Sequence, residues 1–113
     1  MMVIPTREKS GVTILDPKGK ITIGDGDVAL RETIGTALAN GTTDLLINFS
    51  RVKRMDSSGL GELVASIEKA KGQGAAVKLS NLSASVSELL TITALMQKLE
   101  VFEDEDSALA SFE

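Results

Sequence analysis

Residues 55–62 read Met-Asp-Ser-Ser-Gly-Leu-Gly-Glu. Two hydroxyls, Ser57 and Ser58, stand between the Asp56 carboxylate and the glycines at 59 and 61. Hydroxyls so placed can cap a helix, accepting from one of its first free N–H groups. They can attack as nucleophiles once a base removes the proton. They can also accept a group delivered by another protein. The nucleophilic route has little support. There is no His and no Cys in the chain, Lys53 would have to serve as the base, and the Gly-x-Ser-x-Gly elbow of serine hydrolases is missing. An ordinary cap, or an acceptor for an outside enzyme, is the better reading.

Three other clusters invite chemistry. Gly24-Asp25-Gly26-Asp27-Val28-Ala29 has the spacing of a dinucleotide fingerprint. That fingerprint also needs an acid at the end of the next strand, whereas Asp44 falls at the strand's start. A small nucleotide-binding protein is thus an alternative, with a glycine turn preferred. Asp25 and Asp27 lack the further ligands of a calcium loop. Lys53 and Arg54 could guide a phosphate, although a solvated connector is the commoner case. Glu103 to Asp106 suit the start of a helix, where the helix dipole favours acids.

The elements that would position these groups follow from periodicity. Val3-Ile4 and Gly11–Leu15 read as strands joined through a Lys9-Ser10-Gly11 turn, with Pro5 confining the first to an edge. After Pro17-Lys18-Gly19 the run resumes at Lys20–Ile23. Asp27 suits an N-cap. A first helix spans about 28–39, with Leu30, Ile34, Ala37 and Leu38 as its apolar stripe and Asn40-Gly41 as its stop. Asp44–Phe49 is a buried strand and Ser50–Arg54 a basic connector. The second helix starts at the joint, turning Leu60, Leu63, Val64 and Ile67 inward, and ends at Gly72. Ala75–Leu79 is a strand. Asn81-Leu82-Ser83 caps a third helix with Val86, Leu89 and Leu90 inward and Ile92 a further candidate. Thr93–Leu99 reads as a broken helical turn, with Met96 and Leu99 in the core or at its rim. Val101-Phe102 is a short strand or loop, and a last helix packs through Leu109 and Phe112.

Helix and strand alternate through the middle of the chain, which implies an α/β domain with a mostly parallel centre. The expectation is a single domain over residues 1–113, a mixed sheet of four to five strands with about four helices against it. The 113 residues carry 42% hydrophobic and 25% charged side chains and a net charge of −4. That composition suits a folded domain. The acidic balance argues against nucleic acid or an anionic membrane as the main partner. Without Cys there is no disulfide framework. No apolar run nears the roughly 20 residues of a membrane span. The expectation is a cytoplasmic protein with no cofactor and no metal.

Combined with the joint, this order of elements resembles the STAS family, named for sulfate transporters and anti-sigma-factor antagonists. The resemblance is carried by Met55-Asp56-Ser57-Ser58-Gly59-Leu60-Gly61 after the 45–49 strand. Gly19-Lys20-Ile21-Thr22, Asn81-Leu82-Ser83, and Val101-Phe102 with the acids and Ala108-Leu109 after it support it, so it covers nearly the whole chain. It implies a STAS fold and a bacterial antagonist that works by partner switching. The serine after the Asp, here Ser57, is the implied phosphoacceptor for an anti-sigma factor that is also a serine kinase, and a phosphatase resets it. The implied partner face comprises Asp56, Ser58, Gly59, Leu60 and Glu62 at the joint, with Thr22, Gly24 and Asp25 in the loop nearby. Many phosphorylated members carry Asp where Thr22 stands. On this view the protein is a kinase substrate and not an enzyme. The same fold also serves non-phosphorylated interaction subunits, such as a stress-complex scaffold or a soluble accessory of a lipid or anion transporter.

Overall fold

The computed structural model describes residues 2–113. A hairpin opens the chain: β1 (Thr6–Lys9) runs antiparallel to β2 (Val12–Leu15), with Lys9 opposite Val12. Ser10 (φ 56°) and Gly11 (φ 78°) form the two-residue turn, the left-handed pair that matches strand twist. The first strand thus starts later than the apolar Val3-Ile4 pair suggested. All four β1 residues are exposed, as an edge strand allows, while Ile4 tucks into the core ahead of it.

β3 (Gly19–Ile21) leads through a loop to α1 (Asp27–Ala39). β4 (Asp44–Asn48) follows, then β5 (Val52–Met55), α2 (Ser57–Gly72), β6 (Ala76–Ser80), α3 (Ala84–Ile92), a 3₁₀ turn at Met96–Lys98, β7 (Val101–Phe102) and α4 (Glu105–Ala110). The main sheet is ordered β1-β2-β4-β6-β7 and is parallel except at the hairpin. β5 corrects the reading of residues 50–54 as a connector: Val52–Met55 pairs in parallel with β3 in a separate two-stranded ribbon. Its outer residues Val52 and Met55 are buried and its two cations are exposed.

The sheet separates two cores by alternation, since successive strand side chains face opposite ways. Leu45, Ile47, Val77 and Leu79 face α1, α2 and α3. Leu30, Ile34 and Leu38 of α1, Leu60, Leu63 and Ile67 of α2, and Val86 and Leu90 of α3 complete that side. Ile92 is 73% exposed and does not join them, because α3 ends there. Val12, Ile14 and Leu46 face the other way and meet Ala108 and Leu109 of α4, with Phe102 and Phe112 at the rim.

α4 packs through Ala108 and Leu109 and is fastened at both ends by polar contacts. Arg7 pairs with Asp16 and Glu105, and Asn48 Nδ2 donates to Glu105 Oε1 at 3.0 Å. At the far end Lys78 Nζ donates to Ser111 O and Oγ, both at 2.9 Å, and lies 4.5 Å from the Phe112 ring centroid. Among the described residues, no helix is long and apolar enough to cross a membrane.

Candidate functional site

The site forms where the ends of β3 and β5 meet the starts of α1 and α2. Three consecutive residues at the joint are of cap type, and sequence alone favoured a serine. In the structure Asp56 caps α2: its backbone is extended and Oδ1 accepts from Gly59 N at 2.9 Å. Oδ2 reaches across the site and accepts from Ile23 N at 3.0 Å. These two bonds, Gly59's first, hold the Asp56 carboxyl below the ordinary aspartate range, because a carboxylate that accepts N–H bonds keeps its charge. One acid thus caps the helix and ties down the 22–25 loop.

With that role filled, the serines are released for different tasks. Ser57 is the first helical residue and is exposed; among the described residues its hydroxyl has no hydrogen-bond partner. Ser58 is half-buried, and its hydroxyl donates to Asp27 Oδ2 at 3.4 Å. Asp27 is buried at the start of α1, and Oδ1 accepts from Gly24 N and Val28 N. The α1 cap is therefore Gly26 (φ 99°), one residue before the expected Asp27. Asp27 binds the loop from inside the first turn instead.

Two of the glycines are fixed by close approach. A Cβ on Gly59 would overlap the Ile21 carbonyl oxygen and crowd Ile21 Cγ2 at 2.9 Å. A Cβ on Gly26 would overlap the Lys20 carbonyl oxygen. Both helix starts therefore press on the last residues of β3. Gly61 faces open space.

The residues expected on a partner face divide into two groups. Ser57, Gly24 and Asp25 are exposed, and Thr22, Asp56, Ser58 and Glu62 are half-buried. They lie together around the α2 start. Gly59 and Leu60 are buried, so they position the face and present no side chain to a partner. Thr22 and Asp25 exchange backbone bonds at 2.8 and 2.9 Å, forming a tight turn whose tip is Ile23. Glu62 pairs with Arg31 of α1 at 3.2 Å.

Sequence reasoning missed Ile23 and Arg31, and it gave Asp27 the role of a cap without its bond to Ser58. Ile23 is 75% exposed at the loop tip; a large apolar residue followed by Gly-Asp-Gly is the available signal, and in sequence it continues the apolar pattern of Lys20–Ile23. No short-range pattern links Asp27 to Ser58 or Arg31 to Glu62. The dinucleotide reading gains nothing from the geometry: Gly24 N is already bonded to Asp27. Among the described residues no acid, His or Cys cluster could hold a metal.

The chain is similar to known proteins in sequence and in fold. The family described as STAS domain matches residues 3–108. The anti-sigma-B factor antagonist of Bacillus subtilis (strain 168) is 37% identical over 83 residues, 74% of each chain. An anti-sigma factor antagonist from Mycobacterium paratuberculosis superposes with a TM-score of 0.87 at 23% identity, covering 98% of this chain and 93% of that one. The Bacillus cell fate determinant SpoIIAA in its phosphorylated form gives 0.73 at 19% identity, over 98% and 100%. At these identities the two structures speak to the fold.

Proposed function

The chain belongs to the STAS domain family, and on that premise we propose that it is an anti-sigma-factor antagonist switched by phosphorylation of Ser57. Unphosphorylated, it binds an anti-sigma factor with serine kinase activity and so frees a sigma factor for transcription. Phosphorylated, it releases that partner until a phosphatase restores the hydroxyl. It acts in the cytoplasm as a kinase substrate, and the catalytic groups belong to the kinase.

The observation that carries this reading is the division of labour at the α2 start. Asp56 does the capping, which leaves the exposed Ser57 hydroxyl free to accept phosphate. No acid other than the cap occupies the first turn of α2, and a helix N-terminus is a favourable place for an anion. Phosphate adds about −1.5 to −2 charge. Its immediate neighbour Asp56 is an acid, so a partner closing over the face would have to desolvate adjoining negative charges. Binding changes while the fold stays. Ser58 is the weaker acceptor candidate, because its hydroxyl is turned toward Asp27.

The test is the affinity, by calorimetry, of the copurifying anti-sigma factor for the wild type, Ser57→Ala and Ser57→Glu. The expected result is retention in the alanine variant and weakening of about tenfold or more in the glutamate variant, since like charge at an interface costs several kcal/mol. Equal affinity for all three would refute the switch.

A further inference from the structure

The β3–β5 ribbon gathers positive charge on a chain whose net charge is −4. Lys18, Lys20, Arg51 and Lys53 line one open groove of about 630 Å³, together with Gly19, Met2 and a single acid, Asp25. All four cations are exposed. The ion pairs among the described residues engage Arg7, Lys9, Arg31 and Lys78, and none of the groove cations. The strand register also sets Lys20 beside Arg54. Like charges directly opposite on neighbouring strands destabilise a sheet. Lysine on a short strand also deters edge-to-edge pairing, but that role needs one cation, not the four that line the groove.

We propose that this groove docks an acidic segment of a protein partner. The charge of the groove is opposite to that of the chain as a whole, so it orients such a segment toward one place on the surface. The groove is continuous with the Ser57 face: Asp25 lines it and closes the Thr22–Asp25 turn, whose Ile23 N–H is held by Asp56. A partner bound over Ser57 therefore reaches the groove without leaving the surface. Nucleic acid fits less well. The three Phe residues lie in the core and at the α4 side of the sheet, so no aromatic face is offered for a base to stack on. A small anion fits less well too, since the cations sit on long solvated stems with no buried donor among them.

The experiment titrates the full chain into a fluorescein-labelled peptide bearing a run of glutamates and follows anisotropy at low and moderate salt. Binding is expected, weaker as salt rises. Lys20→Glu combined with Lys53→Glu is expected to weaken it about tenfold or more. Lys69→Glu combined with Lys71→Glu makes the same charge change at the far end of α2 and is expected to alter it by less than about twofold. Lys20→Arg with Lys53→Arg keeps the charge and is expected to keep binding. Equal loss in both glutamate pairs, no binding at low salt, or tighter binding of an oligothymidylate with the same dependence on Lys20 and Lys53 would overturn the proposal. The assay needs no kinase and no phosphate, so its failure leaves the Ser57 switch standing, and an unmodified Ser57 leaves the groove standing.

Discussion

The starts of α2 and α4 use one device for two purposes. Each helix is capped by an aspartate whose carboxylate accepts from the N–H three residues on, Asp56 from Gly59 at 2.9 Å and Asp104 from Ser107 at 2.8 Å. Each cap carboxyl is held below the ordinary aspartate range by that bond first. The residues after the cap differ. In α4 they are Glu105 and Asp106, so the helix dipole is already answered by acids, and Glu105 is engaged by Arg7 and Asn48. In α2 they are Ser57 and Ser58, and the first turn remains open to added charge. The α4 start is an anchor whose Glu105 is spent on the sheet. The α2 start presents two hydroxyls and no acid beyond its cap.

The largest effect that would sharpen this contrast comes from the glycines. Gly59→Ala should lose about 3 kcal/mol or more, because backbone of β3 occupies the space and cannot yield cheaply. Gly61→Ala, two residues on and facing open space, should gain about 0.5–1 kcal/mol from helix propensity. Urea unfolding of the pair measures both; equal effects would mean that α2 does not press on Ile21.

The α4 anchor should break next. Lys78→Ala removes a buried donor from Ser111 and should cost about 2 kcal/mol. Arg7→Ala removes half-exposed ion pairs and should cost about 1 kcal/mol. Neither should alter modification of Ser57 in a kinase assay. A loss of phosphorylation in these variants would mean that the two ends are coupled through the sheet.

A charge scan tests the two starts against each other. Ser57→Glu should change stability by less than about 0.5 kcal/mol, since the open N-terminus offsets repulsion from Asp56. Ser107→Glu adds a third acid to a filled turn, removes a hydroxyl that supports Asp104, and should cost about 0.5 kcal/mol or more. The reverse order would remove the distinction between the α2 start and the anchor.

The smallest effect is in pH. Asp56, Asp104 and Glu105 all have folded pKa values below their ordinary 3.8, 3.8 and 4.5. Depressed carboxylates contribute stability that is present above the ordinary value and is lost as pH falls through the folded one. Urea midpoints should therefore fall from about pH 5 downward. Asp56→Asn should flatten part of that fall. An unchanged acid limb in this variant would contradict the bonds drawn to Gly59 and Ile23.

Much of this architecture was legible because apolar runs of strand length alternate with helical stripes from Leu30 onward. The gaps have physical reasons. β1 is Thr-Arg-Glu-Lys, an exposed edge strand with no apolar signal, and the apolar Val3-Ile4 pair beside it carries the stronger strand pattern. β5 buries its first and last residues and exposes two cations between them, so its pattern matched neither strand alternation nor a helix. At the joint, Asp56, Ser57 and Ser58 are all good caps, and the choice depends on Ile23 N–H arriving from a distant loop. Gly59 and Gly61 look alike in sequence and differ only in what lies opposite. Placing the hydroxyls required no tertiary knowledge; knowing which of them is free required the whole site.

The central claim is that Ser57, and no serine at the anchor, carries the charge. The most direct measurement is phosphopeptide mapping of the protein isolated from its own cells, growing and stressed, with Ser57→Ala as control. Phosphate confined to Ser57, varying with conditions and absent from the variant, is the predicted result. Phosphate on Ser58 or Ser107 in place of Ser57, or none under any condition, would contradict the account.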